Sequence, residues 1–336
     1  MKEAPAFIRL LAAPLFLATV VAVSAQPAHG AARMAPLDQS IAALVPLRNS
    51  PFPYRGLDPE TKKPFLDVLV DGRSGHTSPR GGIYWQDTTY SDNRSLLALP
   101  QGFDILRPAV LVVFLHGNNA TLEADVIGRQ QVLAQLAQSG LNAALIAPQM
   151  AVNAMDSSAG RFWMPKTFGR FLREATEHLA GFYENPAAAL KRFERAPVVL
   201  VAYSGGYDPA AYALAVGGIG KRIIGVILLD GGFGEADKFI DWIASNRRRA
   251  FFFSAYSDSS ADGNSAIQTG LWNAHIAFSN VMPHALSPGV IAFVAASAAD
   301  HVDFVTSAWV NHPLAWLLER VPGFPRWTRS VAKDDQ

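Results

Sequence analysis

Short, wholly apolar runs recur along this chain, and they constrain its fold more than any other feature. "AVLVVFL" (Ala109 to Leu115) and "NAALIAP" (from Asn142) are the first two, followed by Val198 to Tyr203, Ile223 to Leu229, Ala250 to Ala255 and Val290 to Ala296. A strand with one wet face alternates apolar and polar residues, whereas a continuous run belongs to a strand covered on both faces. Segments of helical character separate the runs. "TLEADVIGRQQVLAQLAQSG" stops at Gly140, and Phe168, Phe171, Leu172, Ala175, Leu179 and Phe182 recur at helical spacing. Alternation of this kind predicts a mostly parallel sheet wrapped by helices on both faces, in one domain.

Upstream the pattern differs. Strand signals at Leu66 to Val70, Ile83 to Thr89 and Arg94 to Asp104 are broken by Gly, Pro and Asp, as in an antiparallel lead-in. Residues 26–65 are rich in Pro and Asn and read as an extended N-terminal arm, which leaves 66–330 as the main domain. Residues 1–25 carry Lys2 and Arg9 before an apolar stretch and small residues. This is the pattern of a secretory signal peptide, with cleavage expected after Ala25 or Gly30 and His29 lost in the second case. An uncleaved anchor is the alternative reading. No later segment is long and apolar enough to span a bilayer, so a periplasmic or secreted bacterial protein is expected.

Composition narrows the chemistry. The 336 residues are half hydrophobic and carry a formal net charge of +1. The one dense basic block, Arg247 to Arg249, precedes a strand and reads as solvated surface, so nucleic acid is not an expected partner. The chain has no cysteine, which removes thiol nucleophiles, thiolate metal sites and disulfides. Without an HExxH motif or a run of clustered carboxylates, no metal is expected either.

In a parallel sheet, reactive groups gather beyond the carboxyl ends of the strands. The residues found there are His116-Gly117-Asn118-Asn119, then Ser204, Asp230, Asp258 and His301. Ser204 stands in "AYSGG", between an apolar run and a helical segment. A tight strand-to-helix bend of small residues exposes a serine hydroxyl as a nucleophile. A histidine must take its proton, and a carboxylate must orient that histidine. His301 is the histidine that follows the last strand, whereas His116 reads as part of the turn after its own strand. Either Asp258 or Asp230 can serve as the acid.

Serine, then aspartate, then histidine at strand ends resembles the α/β-hydrolase superfamily, and "LPQGFDILRPAVLVVFLHGNNAT" is similar to the lead-in of secreted esterases and lipases. The likeness runs from about Leu97 to the last helix. It implies the α/β-hydrolase fold and an oxyanion hole drawn from Gly117, Asn118, Asn119 and Gly205. It also favours Asp258 as the acid, since "AFFFSAYSD" resembles the family's strand, small turn and aspartate. Two positions depart from the pattern: Ala202 stands where the family usually has Gly, and Pro209 falls just inside the helix after the serine.

The loop after the second parallel strand holds Arg161, Phe162 and Trp163, which read either as a substrate wall or as an aromatic anchor for the loop. The function expected is an exported serine hydrolase cleaving an ester, or second an amide, through an acyl-enzyme and without a cofactor. Its substrate would be a small-molecule or cell-envelope acyl compound. An acyltransferase on the same residues, or a non-catalytic binding protein of the cell envelope, are the alternatives.

Overall fold

The computed structural model describes residues 33–327, so the leader-like segment 1–25 and the two expected cleavage points lie outside the described residues. The lead-in supplies β1 (Ile41–Pro46), β2 (Val68–Val70), β3 (Arg73–Thr77), β4 (Ile83–Trp85), the single turn α1 (Gln86–Thr89) and β5 (Arg94–Leu99). β5 stops at Leu99 because Pro100 has no N–H to continue a ladder. The apolar runs then form β6 (Val110–Leu115), β7 (Ala143–Pro148), β8 (Val198–Tyr203), β9 (Ile223–Leu229), β10 (Phe251–Tyr256) and β11 (Ile291–Ala295). Between and after them come α2 (Val132–Gln138), α3 (Thr167–Ala180), α4 (Pro186–Arg195), α5 (Tyr207–Val216), α6 (Ala236–Asn246), α7 (Ala261–Asn273) and α8 (Pro313–Glu319).

Eight strands make one sheet in the order β1-β5-β7-β6-β8-β9-β10-β11. β5 pairs antiparallel with both β1 and β7, and every pairing from β7 to β11 is parallel. The continuous apolar runs are explained by layers on both sides. Leu111, Val113 and Leu115 of β6 face a core shared with α3 to α7, while Val110, Val112 and Phe114 face one shared with α2 and α8. Phe168, Phe171 and Leu172 of α3 are fully buried, and each such side chain contributes about 1.5–3 kcal/mol relative to exposure.

Two sequence expectations are corrected here. Part of the arm, Ile41–Pro46, is an edge strand of the main sheet in register with Leu99 to Arg94. The segment expected as one helix up to Gly140 is a π-helical stretch, Leu122–Arg129, followed by α2, the two separated at a left-handed Gln131 (φ 48°). Pro209 sits in the first turn of α5, where a helix needs no N–H from it, and leaves the helix intact. β2, β3 and β4 form a separate antiparallel sheet over a satellite core of Phe52, Tyr54, Phe65 and Tyr90. This cover is tied to the loop after β7: Ser78 Oγ donates to Met155 O at 2.7 Å, and the Met155 N–H donates to Tyr84 Oη at 3.1 Å.

Candidate active site

The chain leaves β6 to one side, toward β7, and later returns on the other side as β8. The crevice between the carboxyl ends of β6 and β8 is therefore the switch point at which such sheets hold ligands. Ser204 lies there, on the turn from β8 into α5, with φ 52°. A non-glycine residue in that left-handed region is strained, and the surroundings must hold it. They do so by close packing: a Cβ on Gly206 would collide with the Leu115 carbonyl, and one on Gly205 with the Asn118 side chain. Ala202 fits as the last-but-one residue of β8, fully buried between Leu115 and Leu228.

His301 Nε2 lies 2.7 Å from Ser204 Oγ, and His301 Nδ1 lies 2.6 Å from Asp230 Oδ2. Asp230 follows β9 directly, has φ 43° and is fully buried. It accepts hydrogen bonds from the Ser257 N–H at 2.8 Å, from Ser257 Oγ and from Ser260 Oγ at 2.5 Å. Burial alone would push this acid up, but the bonds from His301, Ser260 and Ser257 outweigh it and hold the acid at about 2. Asp230 is thus an anion that orients an imidazole.

Asp258, the acid favoured from the sequence, is not brought to His301. It is exposed, and its side chain takes no hydrogen bond among the described residues. The turn after β10 instead aims its neighbours Ser257 and Ser260 inward, onto Asp230.

The β6 turn separates the expected oxyanion residues. His116 is buried, and burial lowers its basicity. Its Nδ1 donates to Gly117 O at 2.7 Å while Nε2 accepts from the Met150 N–H at 2.9 Å, which fixes the turn. Gly117 packs under Ser204, with no room for a side chain. The Asn119 N–H is committed to Ala154 O at 2.9 Å and is not free to stabilise an oxyanion. Among the described residues, the N–H groups of Asn118 and Gly205 have no protein acceptor.

The expected wall residues divide in the same way. Phe162 is fully buried against Phe168 and Phe171, each at 5.1 Å. Arg161 donates to the carbonyls of Pro53 and Arg48, so it pins the arm rather than a ligand. Only Trp163 lines the small cavity, of about 190 Å³, that lies beside the site and includes Ser157 and Tyr207. Ser204, His301 and Asp230 are not on its lining; it meets their turn through Ser157, which packs against Gly205. Three larger hollows, of about 730, 810 and 410 Å³, lie around Arg192, Arg170 and Phe278, away from the site.

One residue was missed in the sequence. Tyr203 stacks on the His301 ring (centroids 5.0 Å apart, 26° between planes), and its hydroxyl donates to His301 O at 3.2 Å. Its place immediately before the serine was the available signal.

No family model and no curated protein sequence matches the chain. Among solved structures it is similar to a serine-to-alanine mutant of the feruloyl esterase module from Clostridium thermocellum, complexed with sinapinate. That match has a TM-score of 0.46 and 13% identity, covering 83% of this chain and 98% of the other. It is also similar to an S-formylglutathione hydrolase from Agrobacterium tumefaciens (TM-score 0.43, 13% identity, 75% and 97% covered). A third is the S-formylglutathione hydrolase of Staphylococcus aureus (0.41, 12%, 78% and 91%). A mostly parallel eight-stranded sheet that carries a serine at a strained strand-to-helix turn, with aspartate and histidine following in chain order, has the α/β-hydrolase fold.

Proposed function

We propose that the protein is a serine hydrolase that cleaves a carboxylic ester through an acyl-enzyme. The relay Ser204–His301–Asp230, with contacts of 2.7 and 2.6 Å, is the observation that carries this reading. His301 takes the Ser204 proton as Oγ attacks the ester carbonyl, then passes it to the departing alkoxide. Asp230 holds the imidazole in the Nδ1–H tautomer and supports its positive charge. The Asn118 and Gly205 N–H groups would meet the developing oxyanion, where loss of one donor costs about 3 kcal/mol. Water activated by His301 then releases the acid. The chemistry calls for no cofactor.

Ser204→Ala tests this directly. Hydrolysis of a nitrophenyl ester should fall by about 10⁵ or more, as loss of the nucleophile does in a serine protease, with unchanged circular dichroism. A fluorophosphonate probe should label the native chain and not the variant. Activity of a well-folded Ser204→Ala protein within tenfold of native would sink the reading.

Export belongs to the same proposal and is supported by the leader-like composition of residues 1–25. Intact mass of the exported fraction should show a start near Gln26 or Ala31. Recovery with Met1 retained in membranes would favour the anchor.

A further inference from the structure

The cavity beside Ser204 is smaller than the usual ligand pocket of about 300–1,000 Å³, and suits one functional group rather than a whole ligand. It adjoins the nucleophile's turn. Ser157, on its wall, donates to Asn118 Oδ1 at 3.2 Å, and Tyr207 lies one helical turn after Ser204.

Its lining is unusually one-sided. Carboxylates arrive from four separate stretches of chain: Asp58 and Glu60 from the arm, Asp156 from the loop after β7, Asp208 from α5, and Glu235 from the start of α6. Arg80, exposed and lying over the Phe233 ring at 5.2 Å, is the one cation on that lining among the described residues. Trp163, Tyr207 and Tyr212 supply aromatic surface between the acids.

Most of these acids are satisfied or exposed. Asp156 is bonded by Tyr90 Oη at 2.5 Å and by Ser158 Oγ at 2.7 Å. Asp208 is not. Only 9% exposed, it lines the cavity, and its buried Oδ2 has no hydrogen-bond partner among the described residues. A buried polar atom left in this state costs about 1–3 kcal/mol, and such an atom in a cleft points to a ligand. Burial first, then the neighbouring Glu235, Asp156 and Glu60, push the Asp208 acid well above the usual carboxylate range, which a bound cation would reverse.

We propose that this cavity is a subsite for a primary ammonium group carried by the ester substrate. The proposal rests on the serine-hydrolase reading for the word substrate, and on the cavity alone for the cation. Lys238 already pairs with Glu235 and lies over the Tyr212 ring at 4.8 Å, so what is left for a ligand is Asp208, with the Trp163 and Tyr207 rings beside it. An ammonium supplies the donors that Asp208 lacks, and those rings add cation–π attraction. A polyol would offer as many acceptors as donors to a wall that is already rich in acceptors.

Calorimetric titration of the full chain with benzylammonium and with benzyl alcohol, at matched ionic strength, tests it. The cation should bind about tenfold tighter or more, as expected for a charge-assisted hydrogen bond. Asp208→Asn should cut that preference to about threefold or less, and Glu235→Gln should lower it in the same direction. Equal affinities or weaker binding of the cation in the native chain would overturn the proposal, as would an unchanged preference in both variants. Fluorophosphonate labelling of the same preparation separates the two claims. Labelling without a cation preference sinks the subsite alone, whereas a cation preference without labelling sinks the hydrolase reading and leaves the cation site standing.

Discussion

Asp230 and Asp258 each follow a strand, and at the residue scale everything turns on which one meets His301. The sequence could not decide this, because both lie in the right chain order. The decision is made by three hydroxyls: Ser257, Ser259 and Ser260 reach Asp230, across 27 to 30 residues of chain, and leave Asp258 in solvent. Asp230→Asn should therefore lower kcat by about 10⁴, as the equivalent change does in a serine protease, through the wrong imidazole tautomer and a missing charge. Asp258→Asn should stay within about twofold, as surface substitutions do. Steady-state kinetics on both variants, with circular dichroism for folding, checks the pair; a large loss at Asp258 alone would reverse the assignment. The Asp230 hydrogen bonds also bear on stability. Its folded acid lies at about 2, below the usual unfolded value of about 3.9, so its contribution is present above that unfolded value and is lost as pH falls toward 2. Urea midpoints should decline over that interval, and should decline less in Asp230→Asn.

At the scale of elements, the buried strands were legible because a strand covered on both faces has no polar alternation to hide it. β6 to β11 fall within a residue or so of the apolar runs. β1 and β3 were not legible. β1 lies in a Pro- and Asn-rich arm and is an edge strand, and "RSGHT" of β3 has little apolar content to report burial. The turn from β8 into α5 is the element on which the site depends, and glycine is required where it passes β6. Gly206→Ala would drive a methyl group into the Leu115 carbonyl, with no flexible side chain to give way. Such overpacking against backbone should destabilise by about 1–3 kcal/mol, and kcat should fall too, since any relief moves Ser204 relative to His301. An unchanged urea midpoint for this variant would mean that the turn is looser than its packing implies.

At the scale of the whole molecule, what was hidden from the sequence is the cover. The arm reaches back over α3, where Glu174 accepts from the Arg48 and Asn49 N–H groups at 2.8 and 2.9 Å, and Arg161 holds the arm from the other side. No local pattern announces contacts between residues more than a hundred apart, which is why the sequence left Arg161 and Phe162 open between substrate wall and anchor, where their contacts make them anchors. The same long-range assembly brings Asp58, Glu60, Asp156, Asp208 and Glu235 around one cavity. Asp208 makes that arrangement costly to the fold. A carboxyl raised above its unfolded value stabilises the folded state fully only below the unfolded value, and that contribution is lost as pH rises through the folded one. At pH 7 the native chain therefore carries a penalty that an amide would not. Asp208→Asn should raise stability by about 1 kcal/mol at pH 7, the scale of common stabilising substitutions, while weakening cation binding. Near pH 3, below the usual unfolded value of about 3.9, the carboxyl holds its proton in the folded state and largely in the unfolded one, so the difference between native and variant should shrink toward zero. Thermal melts of both proteins at the two pH values measure this. A variant less stable than native at pH 7 would show that Asp208 is held there by favourable contacts rather than kept for a ligand.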